Sequence, residues 1–345
     1  MIEDLNDLTE KLKQGNGLSS SEAGAAARIL ASGKINDSDA GDFLIALADK
    51  GETPEEVATF AATFRELAMD PGLTEFAERA LDVVGTGGDH SGSFNISTTT
   101  AFVLAAGGIP ILKHGNRSVT SKSGSADLLT ALGIEIEAEP KKIRQSAMEL
   151  NFCYFFAPAF HPAFKAIMPV RRKLAAEGRR TIFNILGPLI NPSCPARQMT
   201  GVFAAEWVKP LAEAHESLGL RSGVVVHGEL PNGKGMDELS CAGQNRVAGF
   251  GELRDLDGYW SPESRGFTRC SVNDLAGGDG KENAALLKRI LDGSGPAGLI
   301  DTIVLNAGAA FLVVGRKDGF KIARELLLGG SVKEWLERAR DFYAG

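Results

Sequence analysis

At 345 residues, 43% apolar and 23% charged, the chain is long enough for two domains and has the composition of a soluble globular protein. No stretch approaches the roughly 20 apolar residues that span a bilayer, and a net charge of −7 argues against general nucleic-acid binding. The cysteines, Cys153, Cys194, Cys241 and Cys270, are scattered with no C-x-x-C pair, which fits reduced thiols in a cytoplasm better than a disulfide frame or a zinc site.

The opening "MIEDLNDLTEKLKQG" is acidic and amphipathic and reads as a helix, not a secretion signal. Helices continue to about residue 70. Ser19 with Glu22 forms a capping box, and Thr53-Pro54-Glu55-Glu56 a second with proline at the first helical position. In the helix that follows, Val57, Phe60, Ala61, Phe64 and Leu67 repeat at helical spacing and predict one apolar face. From about residue 80, short apolar runs alternate with helical stretches: "LDVVG", "TTTAFVLAAGG", "IPILKHG", "SADLLTALG" and "IEIEA". "FCYFFAP", "MTGVF" and "GVVVHG" follow, and from "KENAALLKRIL" onward the pattern is helical again. This alternation predicts an α/β domain with a mostly parallel central sheet behind a small all-α domain. The expected division is 1–72 and 73–345, with a later helical segment near 161–195 adding to the first part.

In such sheets ligands sit beyond the carboxyl ends of strands. "GTGGD" follows one predicted strand and "KHGNR" another. The stretch "DVVGTGGDHSGSFNIST" is neither a dinucleotide fingerprint nor a Walker loop. Its glycines free backbone N–H groups to face an oxyanion, and Asn95, Ser97 and Thr98 open a helix whose N-terminus favours phosphate. Taken alone it is also what a capped surface turn looks like. "KHGNRSVTSKSGSADLL" repeats the recipe, with Lys113, Arg117, Lys122 and His114 followed by Ser118, Thr120, Ser121, Ser123 and Ser125. Two such loops on one sheet predict a ligand with two phosphate-bearing ends. In "GMDELS", Asp237 and Glu238 are either solvated surface acids or, beside a diphosphate, hard-oxygen ligands for magnesium. Arg171 and Arg172, near the aromatic "FCYFFAPAFHPAF", suit a small aromatic carboxylate or simply face water on an amphipathic helix. His161 and His227 receive no catalytic role.

Together "VGTGGD", "NIST", "KHGNRS", "SKSGSADLL", "MPVRR", "TIFNILGPLINP" and "GMDEL", in order, closely resemble the anthranilate phosphoribosyltransferases. The resemblance implies transfer of a phosphoribosyl group from 5-phosphoribosyl 1-diphosphate to the amine of anthranilate, in tryptophan synthesis. By the family's pattern Gly85, Gly88, Asp89, Ser93, Asn95, Ile96, Ser97 and Thr98 line the phosphoribosyl diphosphate site. Lys113, His114, Gly115, Asn116, Arg117, Ser118, Val119, Thr120 and Ser121, with Ser125, complete it. Ser97, Asp237 and Glu238 match the ligands of two magnesium ions per site, and Gly85, Asn116 and Arg171 the contacts to anthranilate. The family's fold, similar to that of the pyrimidine nucleoside phosphorylases, dimerises through its helical part and works without a membrane. Anthranilate's aromatic amine is already neutral near pH 7, so no acid or base residue is required; catalysis rests on positioning and on magnesium.

The sequence departs from the family at "AAEGR", between "VRRKL" and "RTIFN", and at "ELPNGK", before the acidic loop. Pro231-Asn232-Gly233 is a turn signal, so the second extension is expected to be a hairpin. A phosphoribosyltransferase for another aromatic amine is the neighbouring alternative. A nucleoside phosphorylase of the same fold would need no magnesium, and the acidic pair argues against it.

Overall fold

Capping decides where the opening helices start. The computed structural model describes residues 4–118, 122–231 and 233–345. It begins with α1 (Leu5–Lys13), α2 (Ser20–Ser32), α3 (Asp37–Lys50) and α4 (Pro54–Glu66). Both expected capping boxes close, Ser19 with Glu22 and Thr53 with Glu56. The apolar faces converge on one cluster that includes Leu8, Leu12, Ala27, Leu30, Phe43, Leu47, Phe60 and Phe64. Glu56 is drawn into that cluster's edge, where Lys50 Nζ lies 2.5 Å away and the Leu18 N–H donates at 2.8 Å.

After α5 (Thr74–Ala77) the chain alternates through β1 (Leu81–Gly85), α6 (Ile96–Ala106), β2 (Ile111–Gly115), α7 (Ser125–Ala131), α8 (Pro140–Leu150) and β3 (Phe152–Phe156). The helices α9 (Ala157–Phe160) and α10 (Phe164–Ala176) lead to β4 (Arg197–Gly201), α11 (Val208–Ser217) and β5 (Ser222–Glu229). Next come β6 (Gly235–Met236), β7 (Asn245–Gly251) and β8 (Asp257–Trp260). The last four helices are α12 (Gly280–Leu291), α13 (Ala297–Val313), α14 (Gly319–Leu328) and α15 (Ser331–Ala344).

The sheet runs β3-β2-β1-β4-β5-β7-β8, with β6 paired to β5. Strands β1 to β5 pair in parallel, whereas the ladders made by β6, β7 and β8 are antiparallel. The order reverses at β1, whose neighbours β2 and β4 lead away in opposite directions. Such a reversal opens a crevice beyond the carboxyl ends of the strands. One sheet face packs on α6, α13 and α15. The other, with Val225 and Phe250, shares the cluster of the first four helices, as do Ile167, Val170 and Leu174 of α10. The core helix α13 is buried almost all round, yet among the described residues no helix is long and apolar enough to cross a membrane.

Two expectations fail. "IEIEA", residues 134–138, is not a strand. Its isoleucines are buried and its glutamates exposed, so the alternation records one face packed on the core without a backbone ladder. In the opposite sense, β7 and β8 form where the sequence signalled nothing, their runs broken by Gly249, Gly251 and Gly258. The expected hairpin before the acidic loop does form, since Glu229 pairs with Gly235 and Gly228 with Met236; Asn232 lies outside the described residues.

Replacing Lys50 by methionine would leave the Glu56 carboxylate buried beside an apolar chain. Urea denaturation should show a loss of about 3 kcal/mol, as for other broken buried pairs, and Glu56→Gln in the same chain should restore part of it. An unchanged midpoint would show that the pair contributes nothing.

Candidate active site

At the reversal point β1 ends on Gly85 and β4 on Gly201, which pair in register. The acidic loop after β6 lies directly across both tips. A Cβ on Gly201 would stand 1.5 Å from the Asp237 carbonyl oxygen, and one on Gly85 2.2 Å from Asp237 Oδ2. The loop can lie there only because both strands end in glycine. Asp237 Oδ2 accepts the Gly87 N–H at 2.7 Å, and the Asp237 N–H donates to Asp89 Oδ2 at 3.3 Å. Glu238 Oε1 accepts the Ser97 N–H at 3.1 Å in the first turn of α6. Gly87 and Gly88 have φ of 66° and 74°, a left-handed pair suited to turning amides outward. The glycine loop, the α6 N-terminus and the acidic pair are thus one cluster.

The charges there are crowded. Burial, and then the nearby Asp89, pushes the Asp237 carboxyl up to about 8. Burial and the neighbouring Asp237 push Glu238 well above the carboxylate range. Lys113 lies beneath, buried, its Nζ donating to the Val83 carbonyl at 2.5 Å. Burial lowers its pKa, while Asp82, Glu238 and Asp237 hold it up. Asp82, inside β1, is pushed by burial to about 6, and its carboxylate accepts from Asn191 Nδ2 at 2.8 Å and the His114 N–H at 3.4 Å. Lys113 therefore neutralises acids below the strand tips, and is not the surface cation its place in the basic stretch implied. Two partly buried carboxylates beside an open loop form a donor set magnesium accepts, since it takes one or two carboxylates and completes its shell from phosphates and water. Among the described residues no three His, Cys, Asp or Glu side chains gather into a self-sufficient metal cage.

The second loop meets the first. Asn95 donates from Nδ2 to the Ser123 carbonyl at 3.2 Å, and its Oδ1 accepts from the Ser123 hydroxyl at 3.1 Å and from Asn283 Nδ2 at 2.8 Å. Arg117 pairs with Asp127 at 3.1 Å, and the other oxygen of Asp127 accepts the Ser118 and Gly124 N–H groups. The basic stretch is thus less free in charge than it reads. Ser125 opens α7 with its hydroxyl 2.9 Å from Tyr154 OH, and the Asn116 carbonyl accepts from Ser125 Oγ at 3.3 Å. Gly115 ends β2 beside them. Val119, Thr120 and Ser121 lie outside the described residues. Of the remaining expected site residues, Gly88, Asp89 and Ser93 border the crevice with partial exposure, whereas Ile96, Thr98 and His114 are buried and back it from within.

Arg171, half-buried on α10, has its guanidinium 5.3 Å from the Phe183 ring centre and 5.7 Å from that of Phe164. It donates to the Phe183 carbonyl at 3.4 Å, and among the described residues no carboxylate pairs with it. Arg172 is exposed. A file of rings, His114 to His161 at 5.0 Å and His161 to Phe164 at 5.7 Å, leads from the tip of β2 towards Arg171. Burial pushes His114 to about 3 and His161 to about 4, so both rings are neutral near pH 7. The sequence reading misses Asp82, Asp127, Asn191 and Asn283, which hold the site from behind. An aspartate inside the apolar run "LDVVG" is the one visible signal, because a buried charge demands partners.

Comparisons with known proteins agree with this geometry. Residues 6–68 match a family model described as the helical bundle domain of a glycosyl transferase family, and residues 77–332 match its a/b domain. An anthranilate phosphoribosyltransferase from Parvibaculum lavamentivorans is 42% identical over 341 residues, covering 97% of this chain and 96% of that protein. The crystal structure of an anthranilate phosphoribosyltransferase from Thermus thermophilus is similar at a TM-score of 0.88 and 41% identity, over 98% of this chain and 100% of that one. A Saccharomyces cerevisiae anthranilate phosphoribosyltransferase in complex with PRPP and Mg is similar at a TM-score of 0.84 and 26% identity, over 99% and 98% of the two chains.

Gly201→Ala should push the acidic loop off the β4 tip. Amide exchange in residues 235–239 is expected to rise roughly tenfold, with little change in global melting, as for a local opening. Gly85→Ala meets mainly the Asp237 carboxylate, with the carbonyl oxygen no nearer than 3.3 Å, and should displace the loop backbone less. Equal protection in Gly201→Ala and the parent would refute the close-approach argument.

Proposed function

This chain belongs to the anthranilate phosphoribosyltransferase family, and from that premise we propose that it transfers the phosphoribosyl group of 5-phosphoribosyl 1-diphosphate to the amine of anthranilate, releasing diphosphate, in tryptophan biosynthesis. One observation carries the reading: at the sheet's reversal point the acidic pair is bonded to the glycine loop through Gly87 and to the α6 N-terminus through Ser97. Phosphate cradle and metal donors therefore face one crevice.

In this reading the Gly88 amide and the α6 N-terminus receive the diphosphate, while the Gly87 and Ser97 N–H groups hold the acidic pair in place. The second loop, tied to the first through Asn95 and Ser123, receives the other phosphate-bearing end. Asp237 and Glu238, with Ser97, hold magnesium, and the family resemblance supports two ions per site. When bound, the metal neutralises charge on the leaving diphosphate. The bond from the anomeric carbon to diphosphate oxygen breaks as the one to the amine nitrogen forms, positive character develops on the ribose, and the proton lost from the amine passes to the departing diphosphate or to water. The protein's own share is to fix both reactants and to offer oriented amides where charge grows. Arg171 binds the anthranilate carboxylate: it is a cation flanking two mutually packed aromatic rings, and among the described residues no carboxylate pairs with it. Neutral His114 and His161 supply shape and not protons. The same resemblance supports a cytoplasmic homodimer joined through the helical part.

The direct test mixes protein, magnesium, phosphoribosyl diphosphate and anthranilate and follows the loss of anthranilate fluorescence. No loss, with diphosphate released on another aromatic amine, would move the acceptor assignment. Asp237→Ala with Glu238→Ala should cut turnover by about a thousandfold, and near-normal magnesium-dependent activity would sink the metal assignment. Arg171→Ala should raise KM for anthranilate about tenfold, as for loss of a charge-assisted contact, with little effect on KM for the diphosphate substrate. Equal changes in both would count against the carboxylate clamp.

A further inference from the structure

Arg180 lies beside the extension that sets this chain apart, and the phosphoribosyl reading gives it no task. Its guanidinium carbon sits 3.8 Å from the centre of the Phe203 ring, and Nη2 donates to the Gly88 carbonyl at 3.3 Å. Phe203 follows β4 and is itself fixed, since its N–H donates to Thr86 Oγ1 at 3.1 Å and the Thr86 N–H donates to the Gly201 carbonyl at 3.0 Å. The far side of the arginine is anchored too. Arg179 pairs with Asp49 of α3 at 3.0 Å, and the Thr181 N–H donates to Asn184 Oδ1 at 2.8 Å. Two residues further on stands Phe183, whose ring and carbonyl face Arg171.

We propose that Arg180 is a positioning residue: flattened on Phe203, it ties the Gly87–Gly88 turn to the segment that carries the acceptor side of the site. The Gly88 backbone is left-handed and its Cα bears no side chain, so outside bonds must hold that turn in shape. The stack fixes the guanidinium plane, and the fork then presents an N–H to the Gly88 carbonyl. A lysine could place charge there but not a planar fork. The inference rests on the functional reading above.

Steady-state kinetics with magnesium test it. Arg180→Ala should raise KM for phosphoribosyl diphosphate about five- to tenfold, the scale of one stacked cation and one hydrogen bond, with kcat and KM for anthranilate within about twofold. Phe203→Leu, which keeps the cation and removes its platform, should reproduce that shift, and the double variant should be no worse than either. Equal movement of both KM values, a silent Phe203→Leu, or effects that multiply in the double variant would each overturn the proposal. Amide exchange at Gly87 and Gly88 reads the tether without turnover. It should rise in Arg180→Ala, and unchanged exchange would also overturn the proposal. A parent enzyme that consumes no anthranilate would sink the functional reading, while the exchange result would still decide on the tether.

Discussion

Two strand tips without side chains set the geometry of this molecule. Because β4 ends in glycine the backbone of Asp237 can lie against the sheet where its order reverses, and because β1 does so its carboxylate can, each closer than a Cβ would allow. That contact turns a distant hairpin into the wall of the glycine loop. Glu238 then falls within reach of Ser97, and the acids converge on the end of α6. Without the clearance, the acidic pair would be one more solvated turn.

Packing such a cluster has an electrostatic cost, and the fold meets it from below. Burial disfavours the charged forms of Asp82, Asp237 and Glu238, and Asp89 adds its repulsion to that between Asp237 and Glu238. Lys113 is the counterweight, held on the Val83 carbonyl with three of those acids acting on it. Lys113 is one cation among several acids, so the cluster holds positive charge tightly, whether as protons or as a divalent cation. Arg171 of α10 is the complementary case. There a cation is kept beside rings, and among the described residues no acid faces its donors.

Much of this was legible in the sequence because the signals were local. Capping boxes, the helical repeat of Val57, Phe60 and Phe64, and glycine or serine loops after apolar runs all act over a few residues, and the elements formed where they pointed. The segment 134–138 shows the limit of periodicity, which reports which side chains are buried and not whether a backbone has a strand to pair with. Strands β7 and β8 show the converse: glycine-broken runs become strands because β5 offers an edge. The supporting residues were invisible for a different reason. Asp127 answers Arg117, Asn283 answers Asn95 and Asn191 answers Asp82 across separations that no short motif encodes.

Asn95 also has a mechanical role. Its amide group is shared among the first loop that bears it, Ser123 of the second loop and Asn283 of α12. To part the loops, the chain must give up both bonds to Ser123 together, and α12 must follow or lose its own. Through one side chain the two loops and α12 are coupled, so a displacement of either loop is felt by the other and by that helix.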